Sequence, residues 1–142
     1  GLEDALATAV RYLRTSHVRA SRKTYNMLLH ALASRGRLEV AEVLYNRMVD
    51  KHNDVNPDRA TYAILIDAWA RAQDSEGALR WLCEARDRGV PPYSTFLTFP
   101  NDSSKHVTVD LRGLSKHAAA AALQLAFNTQ RWHDRVEVVA GR

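Results

Sequence analysis

The sequence offers almost no sulfur chemistry. A single cysteine, Cys83, stands among 142 residues, so no internal disulfide can form. That fits a reducing compartment or an organelle interior. Cys83 lies between Leu82 and Glu84 with no histidine or cluster of cations near it in sequence. It reads as a small buried apolar residue rather than a reactive thiol. Apolar runs are short as well: none approaches the roughly 20 residues that cross a bilayer. The six histidines (His17, His30, His52, His106, His117 and His133) form no pair at ligand spacing on one helix face, and there is no companion cysteine pair. Neither a metal nor a cofactor is expected. The chain opens at Gly1 with neither a methionine nor a leader-like segment, which reads as a processed or cut end. Charge of one sign is scarce too: 20 Lys and Arg against 16 Asp and Glu give +4. That permits a polyanionic partner without requiring one.

What the sequence does have is an internal echo. Lys23-Thr24-Tyr25-Asn26-Met27-Leu28-Leu29-His30-Ala31-Leu32-Ala33 returns as Ala60-Thr61-Tyr62-Ala63-Ile64-Leu65-Ile66-Asp67-Ala68-Trp69-Ala70, 37 positions on. Ala41 and Ala78, Leu44 and Trp81, and Met48 and Ala85 continue it at the same interval. Pro57 and Pro92 are only 35 apart, so the first copy carries two extra residues near Lys51-His52-Asn53-Asp54. A repeat of this length with two apolar stripes per copy predicts paired helices stacked as a solenoid, each copy burying its face against the next.

The helices are expected over residues 2–14, 23–34, 38–51, 61–72 and 75–88. In the first of these, Leu2, Ala5, Leu6, Ala9, Val10 and Leu13 recur at three- and four-residue spacing. Tyr25, Leu28, Leu29 and Leu32 supply the inward stripe of the next, and Val40, Ala41, Leu44, Tyr45 and Met48 that of its partner. Gly36 is a candidate cap, since glycine accepts a left-handed backbone, and Asn56-Pro57-Asp58 and Gly89-Val90-Pro91-Pro92 close the copies. A third copy starts at Tyr93-Ser94-Thr95-Phe96-Leu97 and fails. The expected organisation is a partial repeat over 2–22 and repeats over 23–58 and 60–93, all within 1–99. A turn-rich linker follows over 100–105, then a mixed module over 106–142. In the last, His106-Val107-Thr108-Val109-Asp110-Leu111 alternates as a strand, Ser115 caps an alanine-rich helix over 116–130, and Arg135-Val136-Glu137-Val138-Val139 is a second strand. This parallel βαβ unit leaves strand edges unpaired, so it is either incomplete or completed by a partner.

The repeats resemble pentatricopeptide repeats, through Thr24-Tyr25-Asn26-Met27-Leu28-Leu29, the Ala41 to Met48 stretch, Asn56-Pro57-Asp58 and their second copies. The last module resembles the first half of a small MutS-related (Smr) domain. Its strand and turn, Val109-Asp110-Leu111-Arg112-Gly113-Leu114-Ser115, are similar to that family's Leu-Asp-Leu-His-Gly-Leu-Ser opening, and Val136-Glu137-Val138-Val139-Ala140-Gly141 to its approach to a glycine-rich turn. The fold implied is mostly α: a right-handed α-solenoid followed by a partial βαβ module. The joint resemblance implies an organelle, chloroplast or mitochondrion.

By resemblance, two side chains of a pentatricopeptide repeat read one RNA base. Here these are Asn26 and Asp58, a combination similar to the family's uridine pair; an amide can donate and accept at a pyrimidine edge. Equally, Asn26 is an ordinary polar residue near a helix start and Asp58 a cap for the next helix. The corresponding Ala63 and Tyr93 should not read a base. Arg19, Arg22, Lys23 and Arg112 are phosphate-contact candidates, and with Arg11 and Arg14 the first of these form a basic stretch that is equally a solvated face. Trp69, Trp81 and Trp132 read as packing residues. The Smr-motif positions are Asp110, Arg112, Gly113 and Gly141. Arg112 replaces the family's histidine and stays protonated at neutral pH, so it cannot be a general base, and no catalytic residue is expected. With one reading pair, the chain reads first as a non-catalytic scaffold that binds other subunits of a larger organellar assembly. The alternative is sequence-specific single-stranded RNA binding.

Overall fold

The computed structural model describes residues 2–15, 20–98, 106–129 and 135–140. The chain is mostly helical: α1 (Leu2–Thr15), α2 (Arg22–Ser34), α3 (Leu38–Val49), α4 (Arg59–Arg71), α5 (Ser75–Asp87) and α6 (Lys116–Thr129). Three short strands follow the fifth helix, namely β1 (Leu97–Thr98), β2 (His106–Asp110) and β3 (Arg135–Val139). Among the described residues no strand interrupts 22–87.

Local chemistry sets these bounds. Ser21 caps α2 by accepting the Thr24 N–H at 3.2 Å. Asp58 caps α4 in a reciprocal arrangement, taking the Thr61 N–H while the Thr61 hydroxyl takes the Asp58 N–H. Asp74 accepts the Gly77 N–H at 2.8 Å to start α5. Three helices end in one motif. After α2, Gly36 turns left-handed and Arg37 N–H returns to Leu32 O; after α5, Gly89 does so and Val90 N–H returns to Ala85 O. After α4 the left-handed residue is Gln73, and Asp74 N–H returns to Trp69 O. The two extra residues of the first copy lie in the loop after α3. There Val55 N–H returns to Met48 O, the counterpart of the Val90 to Ala85 bond, and Asp54 takes the left-handed position.

The echoed positions are the core. Tyr25 and Tyr62, Leu29 and Ile66, Leu44 and Trp81, and Met48 and Ala85 are all buried. Each large apolar side chain so buried contributes about 1.5–3 kcal/mol. Leu28 and Val40, expected inward, are only half-buried. α2 packs on α3 and α4, and α4 packs on α5. An aromatic group ties the copies together: Tyr45 meets Trp81 edge-on at 4.7 Å, and its hydroxyl bonds to those of Tyr62 and the Glu84 carboxylate at 2.7 Å each. Burial first, then those bonds, raises the Tyr45 phenol above its ordinary range.

The region after Pro92 bears on two expectations. The start of a third copy is not helical: 91–96 is turn and bend, and Leu97–Thr98 is a strand. That strand pairs antiparallel with β2, Leu97 opposite Val109, so the second edge of β2 is not left open. The sheet runs β1-β2-β3, with β3 parallel to β2 and Val107 opposite Val136. Tyr93 and Phe96 are buried rather than free. On α6, Ala118, Ala121, Ala122 and Ala126 form one buried stripe, and small side chains let the helix approach α5, α4 and β2 closely. Trp69 and Trp81 are packing residues as expected. Cys83 is half-buried, and that burial raises its thiol pKa. Trp132, His17 and His133 lie outside the described residues.

Candidate functional site

The packing of α2 on α4 brings together two residues 32 apart in sequence. Asn26 Nδ2 donates to Asp58 Oδ1 at 3.1 Å. Thr61 Oγ1 donates to Asn26 Oδ1 at 2.6 Å. An ionised carboxylate has no proton to give, so the Asn26 atom facing it must be the nitrogen, which leaves its oxygen for the hydroxyl. The amide is thereby fixed, and one of its hydrogens and one oxygen lone pair remain uncommitted to these partners. Thr61 is fully buried, whereas Asn26 and Asp58 are half-buried. Burial pushes the Asp58 carboxyl up. The Thr61 N–H, the Asn26 amide and the Arg22 guanidinium together outweigh it and hold the pKa below its ordinary value.

These residues border an open groove of about 870 Å³ lined by Ser21, Arg22, Lys23, Asn26, Met27, His30 and Asp58. Arg22 Nε stands 3.4 Å from Asp58 Oδ2. Lys23 and His30 are exposed, and Met27 is 64% exposed. The groove thus offers cations, a flexible thioether and a fixed amide beside a carboxylate.

The other sequence candidates lie elsewhere. Arg19 and Gly141 are outside the described residues. Arg112 is exposed and folded back on Asp110, with Nη2 and Nε at 2.8 and 2.9 Å from its two oxygens. That guanidinium draws the Asp110 pKa down to about 2. The pair borders a separate hollow of about 300 Å³ with Pro92, Thr95 and Phe96. Gly113 sits in the β2–α6 turn, where its carbonyl accepts from Arg59 Nη2 at 3.0 Å. In the second copy, Ala63 is half-buried and Tyr93 is buried, its hydroxyl 3.4 Å from Arg59 O and its ring edge-on to Tyr62. Burial raises the Tyr93 phenol to about 12. Among the described residues no three His, Cys, Asp or Glu side chains gather as a metal site. Nor is any helix of those residues long and apolar enough to cross a membrane.

Sequence reasoning missed Thr61, Met27 and His30 as parts of this site. Thr61 was signalled by the shared spacing of Ser21 to Thr24 and Asp58 to Thr61, a cap with a threonine three positions on. Met27 and His30 carried no such mark, because their exposure depends on where the neighbouring copy sits.

Residues 21–71 match the model of the PPR repeat family, and residues 60–90 match that of the PPR repeat. Pentatricopeptide repeats are found over residues 21–90. A pentatricopeptide repeat-containing protein of Arabidopsis thaliana, named as chloroplastic, is 34% identical over 92 residues, 65% of this chain. That alignment spans 12% of the relative's own length. The pentatricopeptide repeats therefore hold the whole Asn26 and Asp58 groove. Both family matches end before β1, and the Smr likeness of 106–142 rests on the motif residues named above.

Proposed function

We propose that this chain is a non-catalytic binding segment of a larger organellar protein, and that its ligand is single-stranded RNA. The observation that carries the reading is the Asn26 and Asp58 pair, joined across two copies at the edge of an open, cation-bordered groove. The sequence alone leaned toward a scaffold because only one copy has a reading pair. That pair is not idle: its amide is oriented by Thr61 and keeps donor and acceptor capacity for a uracil edge. Lys23 serves the phosphate backbone. Arg22 is shared between the backbone and Asp58. In this reading the helix pairs up to Asp87 form a right-handed solenoid, 100–105 is a linker, and 106–142, with β1 added to its sheet, is an Smr-like unit. Arg112, held on Asp110, takes no part in proton transfer, which supports a binding role. The chloroplastic name of the Arabidopsis relative supports an organelle, and within that choice the chloroplast.

A scaffold role has one observation in its favour. Phe127 and Val138 are exposed, and β3 has no partner on its second edge among the described residues. A partner strand could add there.

The test is binding of short oligoadenylates with and without one uridine. The uridine strand should bind more tightly, and Asn26→Ala should weaken it by about 1 kcal/mol or more, roughly fivefold. Equal affinity for both strands, unchanged by Asn26→Ala, would sink the RNA reading and leave the scaffold.

A further inference from the structure

The groove does not continue onto the second copy. Met27 is 64% exposed, whereas its counterpart Ile64 is half-buried and packs against the core. His30 is exposed, whereas its counterpart Asp67 is half-buried and accepts from the Ser115 hydroxyl at 3.0 Å. The place of Asp58 is taken by buried Tyr93. Arg59, the residue after Asp58, is tied to the Gly113 carbonyl. Both outside partners, Gly113 and Ser115, belong to the turn between β2 and α6. That turn stands against the first helix of the second copy at its start and again two turns along it.

We propose that the β2–α6 turn is a stop for the bound strand: the base held at Asn26 and Asp58 is the last one the repeats hold on that side. The inference rests on the RNA reading and adds a boundary to it. A polynucleotide lying along the first helices meets the turn at Arg59 and Asp67 and must leave the surface there. On the other side of the read base the exposed Lys23 and Met27 line the groove. The footprint is therefore lopsided about the uridine.

Two measurements test it on the whole chain. Oligoadenylates of one length carry a single uridine at the 5′ end, in the middle or at the 3′ end. One terminal placement should bind as well as the middle one, and the opposite placement should bind at least about tenfold more weakly, since a few stacked bases are lost. Symmetric loss at both ends would overturn the stop while leaving base reading intact. No discrimination of uridine would instead remove the reading itself. The second measurement needs no RNA. In a Cys83→Ala background, Met27→Cys should react with a bulky maleimide at least about tenfold faster than Ile64→Cys, because thiol reactivity follows access. Equal rates would show an open second copy and overturn the stop.

Discussion

Asp58 does two jobs with one carboxylate. Its Oδ1 starts α4 and orients Asn26, while Oδ2 faces Arg22. Asp58→Ala should lower stability by about 1 kcal/mol through the lost cap, whereas Asp58→Asn or Asp58→Ser should keep most of it, as read by urea unfolding. The titration has a definite sign. The folded pKa lies below the ordinary value of 3.8, so this carboxylate stabilises the fold above that value and its contribution is lost as pH falls through the folded value. Asp58→Asn should therefore flatten the acid limb of a stability–pH curve below 3.8; an unchanged limb would show that the contacts do not persist in solution. Thr61→Val keeps the shape but leaves Asn26 Oδ1 and the Asp58 N–H without their hydroxyl partner. A loss of about 1–3 kcal/mol is expected, with a weaker preference for uridine.

At the scale of elements, the caps make sharper predictions than the core. Gln73 holds a left-handed backbone that favours glycine. Gln73→Gly should raise the thermal midpoint, by relief of up to about 1 kcal/mol. Gly77 is the reverse case. A methyl group there would run into the Trp69 indole, which is itself buried, so Gly77→Ala should destabilise by about 1–3 kcal/mol despite alanine's better helix propensity. The helices were legible in the sequence to within a residue or two, because the 37-residue echo fixed the apolar stripes and Gly36 and Gly89 marked two ends. The end at Gln73 carried no glycine and only the following Asp74 cap to mark it. β1 was not legible at all: two residues have no period, and Leu97–Thr98 is a strand only because β2 offers it an edge. The Asn26 and Asp58 candidates came from family likeness; that they touch, and that Thr61 locks them, followed only from how α2 lies on α4.

Across the whole molecule, residues from Leu6 on α1 to Ala126 on α6 belong to one continuous buried cluster. The mixed unit is thus joined to the repeats through α4 and α5 rather than hung from them. Trp69 and Trp81 fluorescence should change together with far-ultraviolet dichroism in a single unfolding transition. Two separated transitions would mean that the unit after Pro92 folds independently. Length is handled differently from packing. The first copy accepts two additional residues between Met48 and Val55 and still closes with the same backbone bond that joins Ala85 to Val90. The spacing of the helices is counted by that closure and not by the number of residues between them. Position 51–54 is consequently a tolerant port: a peptide tag or fluorophore-bearing segment grafted there enters the loop that the closure spans, leaving the interval between copies, and with it the geometry of the groove, as it was.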